Sequence, residues 1–89
     1  MTTIIITEYY GRNGKYWTFN IGTGNGDQVA EVDRIEKGYK IYSGGFPFKT
    51  EVATRTRKDS AFDAAKDAVR KSIYGGVEFK FNVVRWHEK

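Results

Sequence analysis

The chain has 89 residues, no cysteine and a net charge of +4, with 39% hydrophobic and 16% aromatic residues. A chain this short buries about 60–65% of the surface its unfolded form exposes, enough for one core and one domain. The absence of cysteine excludes a disulfide framework, a thiolate metal site and a cysteine nucleophile. It also favours the cytoplasm, because a small secreted domain is usually cross-linked.

Thr2 to Tyr10 reads as a first strand. The opening MTTIIITEYY has neither the basic region of a signal peptide nor an apolar run long enough to span a bilayer. Gly11-Arg12-Asn13-Gly14 follows, and Asn-Gly marks a hairpin because both residues tolerate positive φ. In the second strand, Lys15 to Ile21, the residues Trp17, Phe19 and Ile21 share one face, which should turn toward the helix. Gly22 to Asp27 resembles a phosphate loop only in composition. A dinucleotide fingerprint needs a helix to start at the glycines, and Gln28 to Glu36 reads as a third strand instead. Two sets compete for its inner face, Ala30 with Val32 or Val29 with Ile35, which points to a bulge. Tyr39 to Ser43 is a fourth strand, closed by Gly44-Gly45-Phe46-Pro47. Phe48 to Thr56 is extended, as a fifth strand or a continuation of the fourth.

The helix is expected over Ser60–Ile73. Asp59 or Ser60 would cap it, and Ser60 with Asp63 resembles a capping box. Phe62, Ala65, Val69 and Ile73, flanked by Ala61 and Ala68, form its apolar stripe, and Asp63, Lys66, Asp67, Arg70 and Lys71 its outer face. Tyr74-Gly75-Gly76 stops it, and Val77 to His87 forms the last strand. The expected fold is α+β, an antiparallel sheet of four or five strands with one amphipathic helix packed across one face.

No catalytic or cofactor signature is present. His87 is the sole histidine, so a transition-metal site lacks ligands. Asp63 and Asp67 lie one turn apart but among Lys66, Arg70 and Lys71, as surface helix charges do. The chain is therefore expected to bind rather than catalyse, with no cofactor and no metal. Charge placement indicates where. Residues 1–48 carry five basic and five acidic side chains, whereas residues 49–89 carry ten and six, so the whole excess lies in the second half. Arg55, Arg57 and Lys58, with Lys66, Arg70 and Lys71 on the helix, are the candidate contacts to a partner or a phosphate backbone. Arg55 and Arg57 would project from one side of an extended segment. Tyr9, Tyr10, Tyr16, Tyr39 and Tyr42 are candidates to stack bases or anchor an interface, or else to cover the second sheet face.

The segment ATRTRKDSAFDAAKDAVRKSI, a strand entering an alanine-rich amphipathic helix, followed by GGVEFKFNVV, resembles the plan of small phage-encoded anti-CRISPR proteins. Several of these are cysteine-free single domains with an antiparallel sheet and one helix. The family shares no motif, so no functional residue carries over from it. Many members are acidic mimics of DNA, and this chain departs from them by being basic. The resemblance implies a monomer in the cytoplasm of the host bacterium that docks on a type I CRISPR surveillance complex. There it would contact Cas subunits, guide RNA or both and block target DNA recognition, with no membrane involved. A small nucleic-acid-binding module acting alone and an accessory protein-interaction domain are the alternatives. The chain has neither a helix-turn-helix pair nor an RNP-type aromatic pattern.

Overall fold

In the computed structural model, residues 2–12, 14–21, 27–45, 49–71 and 79–85 are described, Thr2 and residues 79–85 through their backbone. The strands are β1 (Thr2–Gly11), β2 (Gly14–Ile21), β3 (Gln28–Ile35), β4 (Gly38–Ser43), β5 (Thr50–Arg55) and β6 (Phe79–Arg85). The helix α1 (Lys58–Arg70) lies between the last two in sequence. They form one sheet in the order β5-β4-β3-β2-β1-β6. The fold is α+β: β1 to β5 are antiparallel neighbours in sequence order, and one helix packs on them. The sixth strand runs parallel to β1, pairing Thr2 with Phe79 through Glu8 with Arg85. That direction follows from connectivity. A chain that leaves one edge strand and crosses the sheet as a helix returns to the far edge in the direction it left.

The inner face follows strand alternation. Ile6, Phe19 and Ala30 are cross-strand neighbours, as are Trp17, Val32 and Ile41. All six are at most 2% exposed. Ala61, Ala65 and Val69 of α1, which packs on β3, β4 and β5, join the same cluster and are fully buried. The inner face of β3 goes to Ala30 and Val32. Opposite Phe19 and Asn20 the register slips, so Val29 has no partner in β2, yet it too is buried. The bulge expected in β3 is thus what lets adjacent residues of that strand enter the core. The β1–β2 hairpin turns between Gly11 and Gly14, with Gly14 at φ 122°. Gly38, at φ 148°, lies so close to β5 that a Cβ there would run into the Arg55 carbonyl oxygen.

The helix begins two residues earlier than its sequence suggests. Arg57 is the N-cap residue, with φ −116° and ψ 145°, and its side chain makes no capping bond. Ser60 is therefore inside the first turn and forms no capping box with Asp63. The carboxylate of Asp59 accepts the Ser60 N–H at 2.9 Å, meeting one of the first-turn donors that a cap would otherwise satisfy. Lys71 closes the described part of the helix by donating its N–H to the Asp67 carbonyl at 2.9 Å. Phe62 is half-buried on the flank of the buried stripe, not at its centre. The expected helix end at Ile73, the Gly75-Gly76 stop, the Gly22–Gly26 loop, Pro47 and His87 lie outside the described residues.

Candidate partner-binding surface

The six cations singled out in the sequence do not form one patch. Arg57 and Lys58 at the start of α1 and Lys66 about two turns further along it line, with Asp59, Phe62 and Asp63, a shallow hollow open to solvent. Arg55 and Lys71 border a separate groove between β5 and α1. Arg70 points outward and pairs with Asp67 at 3.3 Å. Arg55 and Arg57 are separated by the end of β5, so the shared strand parity expected of them does not arise.

Phe62 is the aromatic side chain that lines the hollow, and buried Trp17 and Phe19 lie beneath it. Lys58 Nζ lies 5.0 Å from the Trp17 ring centroid and 5.7 Å from that of Phe62. Phe62 meets Trp17 edge-on at 5.4 Å and Phe19 at 5.8 Å. Trp17 is fixed from behind: its indole Nε1 donates to Glu8 Oε1 at 2.9 Å. Glu8 is 3% exposed and also accepts the Tyr10 hydroxyl at 3.1 Å. A buried carboxylate needs such partners, and here they lock the ring that carries the lysine. Arg57 is tied loosely to Asp59 at 3.3 Å on an exposed surface, an arrangement that holds little energy and is easily exchanged for another anion.

The opposite sheet face carries a cluster that sequence reading missed. Glu31, 8% exposed, accepts Lys49 Nζ at 2.9 Å and Gln28 Nε2 at 3.1 Å. Lys49 also sits 4.6 Å over the Tyr42 ring. Asp33 lies on the same face of β3, between Tyr16 of β2 and Lys40 of β4, and Lys40 pairs with Glu51 at 3.6 Å. Oδ1 of Asp33 is buried without a hydrogen-bond partner among the described residues. Burial, then the neighbouring Glu31 carboxylate, pushes the Asp33 carboxyl up to about 7 from an ordinary 3.8. Burial works against the charge of Glu31 as well, but its contacts with Asp33, Lys49 and Gln28 outweigh it and hold that group below its ordinary value. The bond to Glu31 raises the Lys49 ammonium. The signal was in the sequence: once Ala30 and Val32 face inward, Glu31 and Asp33 must share the other face.

This arrangement has a consequence for stability. The folded protein holds a proton on Asp33 that the unfolded chain releases above about pH 4. The stabilisation that proton carries is complete below pH 4 and is lost as pH rises through about 7. The thermal midpoint should therefore fall by several degrees between pH 5 and pH 8. Asp33→Asn, neutral throughout, should flatten that slope. An unchanged slope in the variant would show that Asp33 is not the group responsible.

The other tyrosines named above as candidates are also engaged within the domain. Tyr9 and Tyr16 stack on each other at 5.1 Å, and Tyr39 packs 5.9 Å from Trp17. Among the described residues no helix is long and apolar enough to cross a membrane, and no group of three or more His, Cys, Asp or Glu is placed to hold a metal ion. The chain matches no protein-family model, and no curated protein or solved structure is found similar to it.

Proposed function

We propose that this chain is a non-catalytic binding protein that docks through the hollow at the start of α1. Its target, on the resemblance to anti-CRISPR proteins, is a type I CRISPR surveillance complex whose recognition of target DNA it blocks. The observation that carries the docking surface is the gathering of Arg57, Lys58 and Lys66 around Phe62, on a ring system anchored by Glu8. Cations beside a partly buried aromatic suit a surface that mixes phosphate with protein. Arginine can hold two phosphate oxygens, lysine supplies a point charge, and the ring excludes water from both. Guide RNA lying along Cas subunits has that mixed character. The protein acts as a monomer in the host cytoplasm under this reading.

Three cations meet few phosphates, so free nucleic acid alone should bind weakly and without sequence preference. A salt titration on duplex DNA should give a log–log slope no steeper than about −2.7, from about −0.9 per neutralised phosphate. Submicromolar, sequence-dependent binding to a free oligonucleotide at physiological salt would favour a nucleic-acid-binding module acting alone.

A further inference from the structure

Strand β5 forms one edge of the sheet, with β6 at the other, and among the described residues no strand pairs with the outer side of β5. An open edge presents a row of backbone donors and acceptors, and proteins usually blunt such edges. Here the edge runs beside a groove. Ala64 and Ala68 of the helix face it, and their short side chains, with Ala53 of β5, give the groove an apolar lining. Val52 forms part of its wall. The β4–β5 register slips between Ile41 and Tyr42, so Val52 has no partner in β4 and is left 49% exposed. It is the more exposed of the two large apolar side chains found at the surface of the described residues.

The groove is bordered by Arg55 and Lys71, both exposed. Asp67 also borders it, but its carboxylate is taken by Arg70 at 3.3 Å. Arg55 rests its guanidinium on the Thr54 carbonyl at 2.8 Å, which leaves it positively charged with no carboxylate partner in the described structure. An apolar lining, an open strand edge and cationic borders together specify an occupant: extended, with apolar side chains on one side and carboxylates near its ends.

We propose that the groove between β5 and α1 receives an extended acidic segment of a partner protein, which joins the sheet as a seventh strand beside β5. Backbone hydrogen bonds to β5 supply the binding, alternate side chains meet the alanine lining, and the flanking carboxylates meet Arg55 and Lys71. This surface is separate from the hollow at the start of α1, so the inference does not rest on the proposed function.

The test uses the intact chain, isotope-labelled for amide spectra, and a Val/Thr-rich peptide flanked by glutamates. The same peptide flanked by lysines is the control. The glutamate peptide should shift the amides of residues 50–55 and 64–71 saturably and slow hydrogen exchange at alternate β5 amides. The lysine peptide should bind at least about tenfold more weakly. Ala68→Glu, at a half-exposed helix position, should remove binding of the glutamate peptide with little change in thermal midpoint. Should that variant fail to fold, Arg55→Glu with Lys71→Glu keeps the alanine lining intact and should invert the preference toward the lysine peptide. Shifts confined to other regions, equal binding of the two peptides, or undiminished binding by the folded variants would overturn the proposal. So would β5 shifts that grow with protein concentration in the absence of peptide, because the edge would then be pairing with a second copy.

Discussion

Phe19→Ala should lower the free energy of unfolding by about 3–5 kcal/mol, the largest loss expected of any single substitution in the described core. Phe19 is fully buried in the middle of β2. Ile6 of β1 lies on one side of it and Ala30 of β3 on the other, with Phe62 of α1 edge-on above at 5.8 Å. Each of these is held by backbone pairing or by the helix, so the space left by the ring cannot collapse, and the lost contacts add to the lost transfer energy. A domain of this length has a total stability of about 4–13 kcal/mol. The variant should therefore sit near its unfolding threshold at physiological temperature. Phe62→Ala should cost less, because that ring is half-exposed and its removal opens a surface notch in place of a sealed cavity. Urea denaturation of both variants measures the difference. A Phe19→Ala loss below about 1 kcal/mol, or a larger loss for Phe62→Ala, would contradict the packing described here.

Reversing the charge of the hollow should have the largest effect on binding. Arg57→Glu, Lys58→Glu and Lys66→Glu together should weaken docking on an anionic partner at least about 100-fold, since hydrogen bonds to charged groups contribute about 1.5–3 kcal/mol each. The thermal midpoint should change little. Arg57 and Lys58 are exposed, and a glutamate in the first helical turn complements the dipole, which offsets the lost contact of Lys58 with Trp17 and Phe62. The same change at Arg70, which pairs with Asp67 on the outward side of the helix, should matter far less. Unimpaired binding by the folded triple variant would place the contact surface elsewhere.

The parity of the strands was open to reading because period-two alternation is strict where one face is buried. Trp17, Phe19 and Ile21 turn toward the core as their spacing indicates, with Ile21 only partly covered. The inner face of β3 was ambiguous for a physical reason: a bulge puts Val29 and Ala30 both inside, which no single parity describes. The parallel pairing of β6 with β1 was hidden because it depends on where the helix delivers the chain, and nothing local to Phe79–Arg85 encodes that. The cations could be found in the sequence but not grouped. Their grouping turns on the helix starting at Lys58 and on which flank of the buried stripe each position occupies. That start and those flanks send Lys58 over Trp17, Lys66 to the same hollow and Lys71 toward β5. Glu31 and Asp33 form no motif of their own, and their proximity emerges only once the inner face of β3 is assigned.

Capture of a purified type I surveillance complex, loaded with guide RNA, on the immobilised protein tests the proposed function most directly. The wild-type chain should retain the complex at physiological salt and prevent it from binding target DNA, and the Arg57/Lys58/Lys66 glutamate variant should do neither. A wild-type chain that fails to retain any such complex, or retains it without affecting target binding, would contradict the proposal.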